Sequence, residues 1–288
     1  MNNRDGSAYV PSAQRIEREG AQRRAARRSA LIAAGSTIAV AFVLYISVTN
    51  APGWERVQTS FFTWEYAVEA FPLVLKGLWL NLRVLAVASV AIVIFGLLLA
   101  LARTSKSPVL FPVRLFAAGF TDLFRGLPLL LVILLLGLGV PGLRLQGIPT
   151  SVVFLGGLSL VLTYSAYVAE VLRAGIESVH PTQRMAARAL GLSPIQTLRY
   201  VILPQAVRRV IPPLLNDLVS LQKDSGLISI LGAMDAIKAA QIVTARNFNF
   251  TPYVVAGVLF VLLTIPLTRF TDYLARKIEK ERAISGGQ

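Results

Sequence analysis

Inside the run FTDLFRGLPLLL, Asp122 and Arg125 stand three residues apart, which puts both on one face of a helix. Gly126 and Pro128 follow at once and should break or kink that helix, leaving backbone groups free to line a polar cavity. AYVAEVLRAG repeats the spacing with Glu170 and Arg173, and LLNDLVSLQKDSGLIS sets Asn216, Asp217, Ser220 and Asp224 along one helix face with Lys223 beside them. All three sets lie in strongly apolar sequence, where an ionisable side chain costs about 3 kcal/mol to insert and so faces protein or water. Such groups either recognise and pass a charged solute or neutralise one another, Asp122 with Arg125 and Glu170 with Arg173. Covalent catalysis is excluded as the main business of the chain, because nucleophile, base and metal ligands are gathered nowhere. The chain has no cysteine, hence no disulfide or thiolate metal site, and its single histidine, His180, stands before Pro181 as a helix cap.

The elements that must carry these charges are membrane helices. Of the 288 residues 55% are hydrophobic and 15% charged, with mean hydropathy +0.62. The charges cluster between uncharged runs long enough to cross about 30 Å of hydrocarbon. Those runs are 29–54, 84–102, 126–143, 145–169 and 247–268, with a sixth, 206–231, interrupted by charge. The expected fold is an all-α membrane protein with six transmembrane helices.

A net charge of +14 raises the possibility of nucleic-acid binding, but its placement argues for a bilayer instead. With the basic N-terminus in the cytoplasm, six crossings put most of the 29 Lys and Arg inside, around 4–28, 103–114, 173–209 and 269–282. The expectation is a multi-pass membrane protein with both termini cytoplasmic, lipid as its surroundings and no nucleic-acid partner. Residues 1–28 read as a basic, partly helical tail, 29–70 as an anchoring helix followed by an outer loop with Trp54, Trp64 and Tyr66 among acidic residues, and 281–288 as a C-terminal tail. No G-x-x-x-x-G-K-[ST] phosphate loop occurs, so nucleotide is not bound in that cradle.

One polar segment interrupts the apolar half: VHPTQRMAARALGLSPIQTLRYVILPQAVRR. Pro181 suits a first helical turn, Gly191 a left-handed C′ position, and Ser193 to Gln196 a capping box with Pro194 at N1. The pattern predicts helix, glycine elbow, helix, with a stop near Pro204. Ala186, Ala187 and Leu190 should form a small apolar patch, with Arg184 and Arg188 stacked beside it, open to a cytoplasmic partner.

This segment resembles the coupling loop of bacterial ABC importer permeases, whose signature runs E-A-A-x-x-x-G and then I-x-L-P. Met185, Ala186, Ala187, Gly191, Val201, Leu203 and Pro204 fall on those positions, with Met185 replacing the acidic first residue. FRGLPLL is similar to the FRGTPLL of polar amino acid importers of the histidine and glutamine type, and AYVAEVLRAGIESV to their AYxAExxRGGIxSV. ILPQAVRRVIPPLLNDLVSLQKDSGLIS is similar to their ILPQAxRxxxPxLxNxxIxLxKDTSL, with Ser225 and Gly226 in place of Thr and Ser. The resemblance covers roughly 71–280 and implies a five-helix type I permease core with its coupling loop at 181–204, plus one N-terminal helix. It implies a second permease subunit, identical or homologous, two cytoplasmic ABC ATPase subunits and an extracytoplasmic substrate-binding protein. No cofactor is expected on this chain, ATP and Mg belonging to the ATPase. Arg184, Met185, Ala186, Ala187, Arg188, Gly191, Leu203 and Pro204 are then the coupling residues. Asp122, Arg125, Glu170, Asn216, Asp217, Ser220, Lys223 and Asp224 are candidates for the substrate path. The alternative is an ion-coupled secondary transporter of small polar solutes, with the buried Asp and Lys residues as its relay.

Overall fold

The structure, a computed structural model, describes residues 13–105 and 107–286. Every regular element among them is a helix, and the chain forms two compact units, Met1–Gln58 and Thr59–Gln288. Residues 1–12 of the expected basic tail, Lys106 and the last two residues of the C-terminal tail lie outside the described residues. In the first unit, α1 (Ala13–Thr49) joins the rest of the basic stretch to the apolar run as one continuous helix, since no proline intervenes.

After α2 (Trp54–Phe61), which straddles the boundary, the second unit begins with α3 (Trp64–Thr104). Its 41 residues make a rod of roughly 60 Å, and the expected crossing at 84–102 is only its second half. The first half was expected to be partly loop. It is helical because Glu65, Glu69, Lys76 and Arg83 are adequate helix formers, and Pro72 removes one donor without ending the helix. A 3-10 turn, Pro108–Leu110, leads into α4 (Phe111–Gly126). Then follow α5 (Leu129–Leu134), a π turn at Leu135–Gly139 and α6 (Val140–Gly142). The segments Pro108–Gly126 and Leu129–Gly142 meet at 105°. The expected break is therefore real: Leu127 is extended, as a residue before proline prefers, and the chain turns there.

The next crossing is α7 (Val152–Glu177), not 145–169. Arg144 and Gly147 take positive φ, which no α-helix accepts, so the helix starts at the Ser151 cap. It runs on past Glu170 and Arg173 because their charges are paired. Two short helices follow, α8 (Pro181–Ala189) and α9 (Pro194–Thr197), then a π turn at Leu198–Ile202 that passes directly into α10 (Leu203–Asp224). The expected stop at Pro204 does not occur: proline near a helix start sacrifices a donor that has no partner there anyway. A 3-10 stretch, Ser225–Leu231, and α11 (Ala236–Asn247) follow, and α12 (Thr251–Gly286) closes the chain. Among the described residues four helices are long and apolar enough to cross a membrane, or up to six spans when each bent pair counts as one.

Apolar seams hold the second unit together. Val84, Ala88 and Ile92 of α3 pack on Leu160, Tyr164 and Val168 of α7, with Leu221 and Ile228 behind them. Ala70, Val74 and Leu78 pack on Ala236, Ala239, Ala240 and Val243 of α11. The alanines matter because lipid supplies no hydrophobic drive between helices, so close van der Waals approach must do so. A polar clasp fixes the register. Buried Asn81 donates to the Ser225 carbonyl at 3.0 Å and to Asp235 Oδ2 at 3.2 Å, and accepts from the Ala236 amide at 3.1 Å. Asp235, fully buried, caps α11 by accepting from the Lys238 amide at 2.8 Å.

Gly77, one turn before Asn81, lets α3 touch the backbone of residues 235–236. A β-carbon at 77 would lie 2.3 Å from the Asp235 carbonyl carbon, and backbone cannot yield as a side-chain tip can. Gly77→Ala should therefore cost about 1–3 kcal/mol and reduce the yield of monodisperse protein in size-exclusion chromatography. Gly157→Ala, where the new carbon meets only Val84 at 4.0 Å, should leave the elution profile unchanged.

Candidate functional site

Three helices converge on one carboxylate. Arg103, in the last turn of α3, donates from Nη1 to Glu170 Oε2 at 2.7 Å. Arg173 donates from Nη2 to Oε1 at 2.5 Å and from Nε to Oε2 at 3.1 Å, and also binds Glu177. Arg125, at the end of α4, brings Nη1 to 3.6 Å from Oε2. The expected pairing of Glu170 with Arg173 is present, but Arg125 does not pair with Asp122. On α4, Ala117, Thr121 and Arg125 lie at intervals of four, and Ala117 packs against Leu99 and Ala169. Arg125 is thereby carried to Glu170, while Asp122 lies off that line, exposed and in no ion pair among the described residues.

The α10 set also divides. Asp224 accepts from the Tyr164 hydroxyl at 2.7 Å, and Asp217, seven residues earlier, is half-buried with a buried Oδ2 that has no hydrogen-bond partner. Ser220 is half-buried, whereas Asn216 and Lys223 are exposed, so the five residues do not share one environment. Sequence reasoning passed over Arg103, counted only with the basic stretch 103–114, and Tyr164. It also missed buried Gln222, whose Oε1 accepts from Thr264 of α12 at 2.7 Å. Isolated polar residues within apolar runs were the available signal for all of these, and for Asn81. Among the described residues no cluster of three His, Cys, Asp or Glu could hold a metal ion.

The 181–204 segment is built as its turn chemistry dictates. His180 caps α8, Nδ1 accepting from the Thr182 amide at 3.3 Å. Gly191 sits at φ +77° in the elbow, with its amide donating to the Arg188 carbonyl at 2.9 Å and that of Leu192 to the Ala187 carbonyl at 3.1 Å. Ser193 and Gln196 form the reciprocal capping box of α9. The expected patch is split: Ala187 is buried against the protein, while Ala186 and Leu190 are exposed. Arg184 turns inward to the Ile176 carbonyl at 2.8 Å instead of stacking outward beside Arg188, which is exposed. Met185, Leu190 and Ile195 are the large apolar side chains left open, at 60%, 82% and 77% exposure. Leu203 and Pro204 are exposed at the start of α10.

Residues 92–280 match the family described as binding-protein-dependent transport system inner membrane component. The chain belongs to that family. It is a transmembrane permease subunit of an ABC importer, non-enzymatic, with ATP hydrolysis on a separate subunit. Among its relatives, the putative glutamine transport system permease of Rickettsia bellii is 36% identical over 225 residues, 77% of this permease and 99% of the relative. The arginine transport system permease of Bacillus subtilis is 30% identical over 213 residues, 74% of this permease and 95% of the relative. The crystal structure of an amino acid ABC transporter with histidines superposes at TM-score 0.67 and 32% identity, covering 73% of this permease and 96% of that chain. An importer of the acidic polysaccharide alginate, at TM-score 0.58 and 13% identity, shares the fold. This all-helical permease thus has the fold of the type I importer permeases.

A double-mutant cycle tests the new pairing. In thermal unfolding of the purified permease, Arg125→Ala and Glu170→Ala should couple by about 0.2–1 kcal/mol, the range for a partly exposed pair. Asp122→Ala and Arg125→Ala should be additive, and coupling in that second pair instead would contradict the arrangement.

Proposed function

We propose that this permease forms the membrane path of an ATP-driven amino acid importer. The observation that carries the substrate class is agreement among relatives: chains 30–36% identical over nearly their whole length are named for glutamine and arginine, and the 32% identical structure is an amino acid transporter. The reading has residues 71–280 as the permease domain, 29–70 as an N-terminal helix and outer loop, and 1–28 and 281–288 as cytoplasmic tails in a bacterial inner membrane. Two permease subunits, identical or homologous, pair in the bilayer. Two ATPase subunits, holding ATP and Mg, dock on 181–204 through Arg184, Met185, Ala186, Ala187, Arg188, Gly191, Leu203 and Pro204. An extracytoplasmic binding protein delivers substrate. ATP-driven closure of the ATPases displaces α8 and rocks the core between two states, each nucleotide state biasing one of them. Asp122, Arg125, Glu170, Asn216, Asp217, Ser220, Lys223 and Asp224 supply the polar lining.

An ATPase should co-purify with the permease, and one amino acid with its binding protein should stimulate ATP hydrolysis in nanodiscs. Uptake that persists in cells lacking every such ATPase would favour the ion-coupled alternative and overturn the proposal. Within the loop, Gly191→Val forces a β-branched residue into the left-handed region at a cost above about 1 kcal/mol. It should leave substrate binding intact while uncoupling ATP hydrolysis. Met185→Ala should weaken ATPase association modestly at low and high salt alike, because the thioether contact is apolar. Loss that appears only at low salt would contradict an apolar contact at Met185, and unchanged association after deletion of 182–200 would remove the loop from the interface.

A further inference from the structure

The ionic centre carries more positive charge than negative. Arg103, Arg125 and Arg173 face two carboxylates, Glu170 and Glu177. Arg103 and Arg173 are held at 2.7 and 2.5 Å from Glu170 with side chains 14% and 27% exposed, whereas Arg125 stands at 3.6 Å and 41% exposed. At that distance its guanidinium has closed no hydrogen bond to Glu170, so its donors remain open. One turn back on α4, Asp122 is exposed and outside every ion pair among the described residues. Loosely paired Arg125 and unpaired Asp122, of opposite sign, share the last turns of α4 next to the 105° break.

We propose that Arg125 is a carboxylate-binding arm parked on Glu170. A substrate's carboxylate takes the open donors of Arg125 in place of Glu170, and Asp122, one turn away, faces the substrate's ammonium group. This deepens the amino acid reading above and rests on it: the ligand class is a small zwitterion with a free carboxylate. Glu170 is then a positioning residue. The guanidinium fork matches a carboxylate through two parallel donors, which a single oxygen at 3.6 Å does not use. Exchanging one carboxylate for another keeps the charge neutralised throughout, so the ligand is recognised without being trapped. Arg103 and Arg173 hold Glu170 in place while Arg125 changes partner. Asp122 and Arg125, unpaired with each other, leave the gap that the two ends of a zwitterion fill.

The test is isothermal titration of the permease with its co-purifying ATPase in nanodiscs, without binding protein. The probes are L-glutamine and L-arginine and their α-amides, L-glutaminamide and L-argininamide. In the unaltered complex at least one acid should bind about tenfold more tightly than its amide, the worth of a charge-assisted pair. Arg125→Gln should abolish that ratio while leaving amide affinity within about twofold. Glu170→Gln removes the internal competitor and should tighten binding of the acid severalfold without changing that of the amide, a sign that a purely structural role cannot produce. If Glu170→Gln does not yield folded complex, Glu170→Asp retains the charge but shortens its reach, and should tighten the acid to a smaller degree. Equal affinity for acid and amide in the unaltered complex overturns the proposal, as does equal weakening of both by Arg125→Gln. Binding of neither acid, in a complex whose ATPase is active, sinks the amino acid reading and this proposal with it.

Discussion

One carboxylate, Glu170, is the interaction on which the inner architecture of the permease depends. It joins the last turn of α3, the last turn of α4 and the body of α7 through Arg103, Arg125 and Arg173. Where the apolar seam ends, a partly buried charge left alone would have to reach water or recruit a partner. Together they allow α7 to stay helical past Glu170 and to deliver the chain, four residues after Glu177, into the start of α8. The same contact sets the roll of α4, and with it which of its charges is free.

The opposite end of the α3 and α7 seam has its own polar tie. Asn81 and Asp235 lock α3 to the turn between α10 and α11. Asn81 and Arg103 are separated along α3 by about 33 Å at 1.5 Å per residue, close to one hydrocarbon thickness. Polar ties thus stand at both ends of an apolar seam of alanine, valine, leucine and isoleucine. Small residues let the helices approach, and the ties choose the register.

Much of this was legible in the sequence where local chemistry decides the outcome. The glycine elbow, the Ser193 capping box, the His180 cap and the break before Pro128 each follow from one residue's conformational preference, and each stands where that preference puts it. What the sequence hid are relations between distant residues. Spacing offered Asp122 as the partner of Arg125, but packing of Ala117 against Leu99 and Ala169 carried Arg125 to a carboxylate 45 residues away. A charge-to-charge rule for helix ends placed the α7 crossing several residues too early, because it could not see that Glu170 and Arg173 were neutralised. Pro204 looked like a stop, yet a π turn feeds α9 into α10 without a break.

If Glu170 ties the bent span to α7 and so to the loop that follows it, those two parts must move as one. Pulsed electron spin resonance between nitroxides at Leu138 in the π turn and Ile195 in α9, both exposed, reads that relation directly in the ATPase-bound permease. The account predicts one narrow distance distribution in each nucleotide state, and a distribution broadened in both states by Glu170→Gln. Distributions that are equally narrow with and without the Glu170 carboxylate would contradict it.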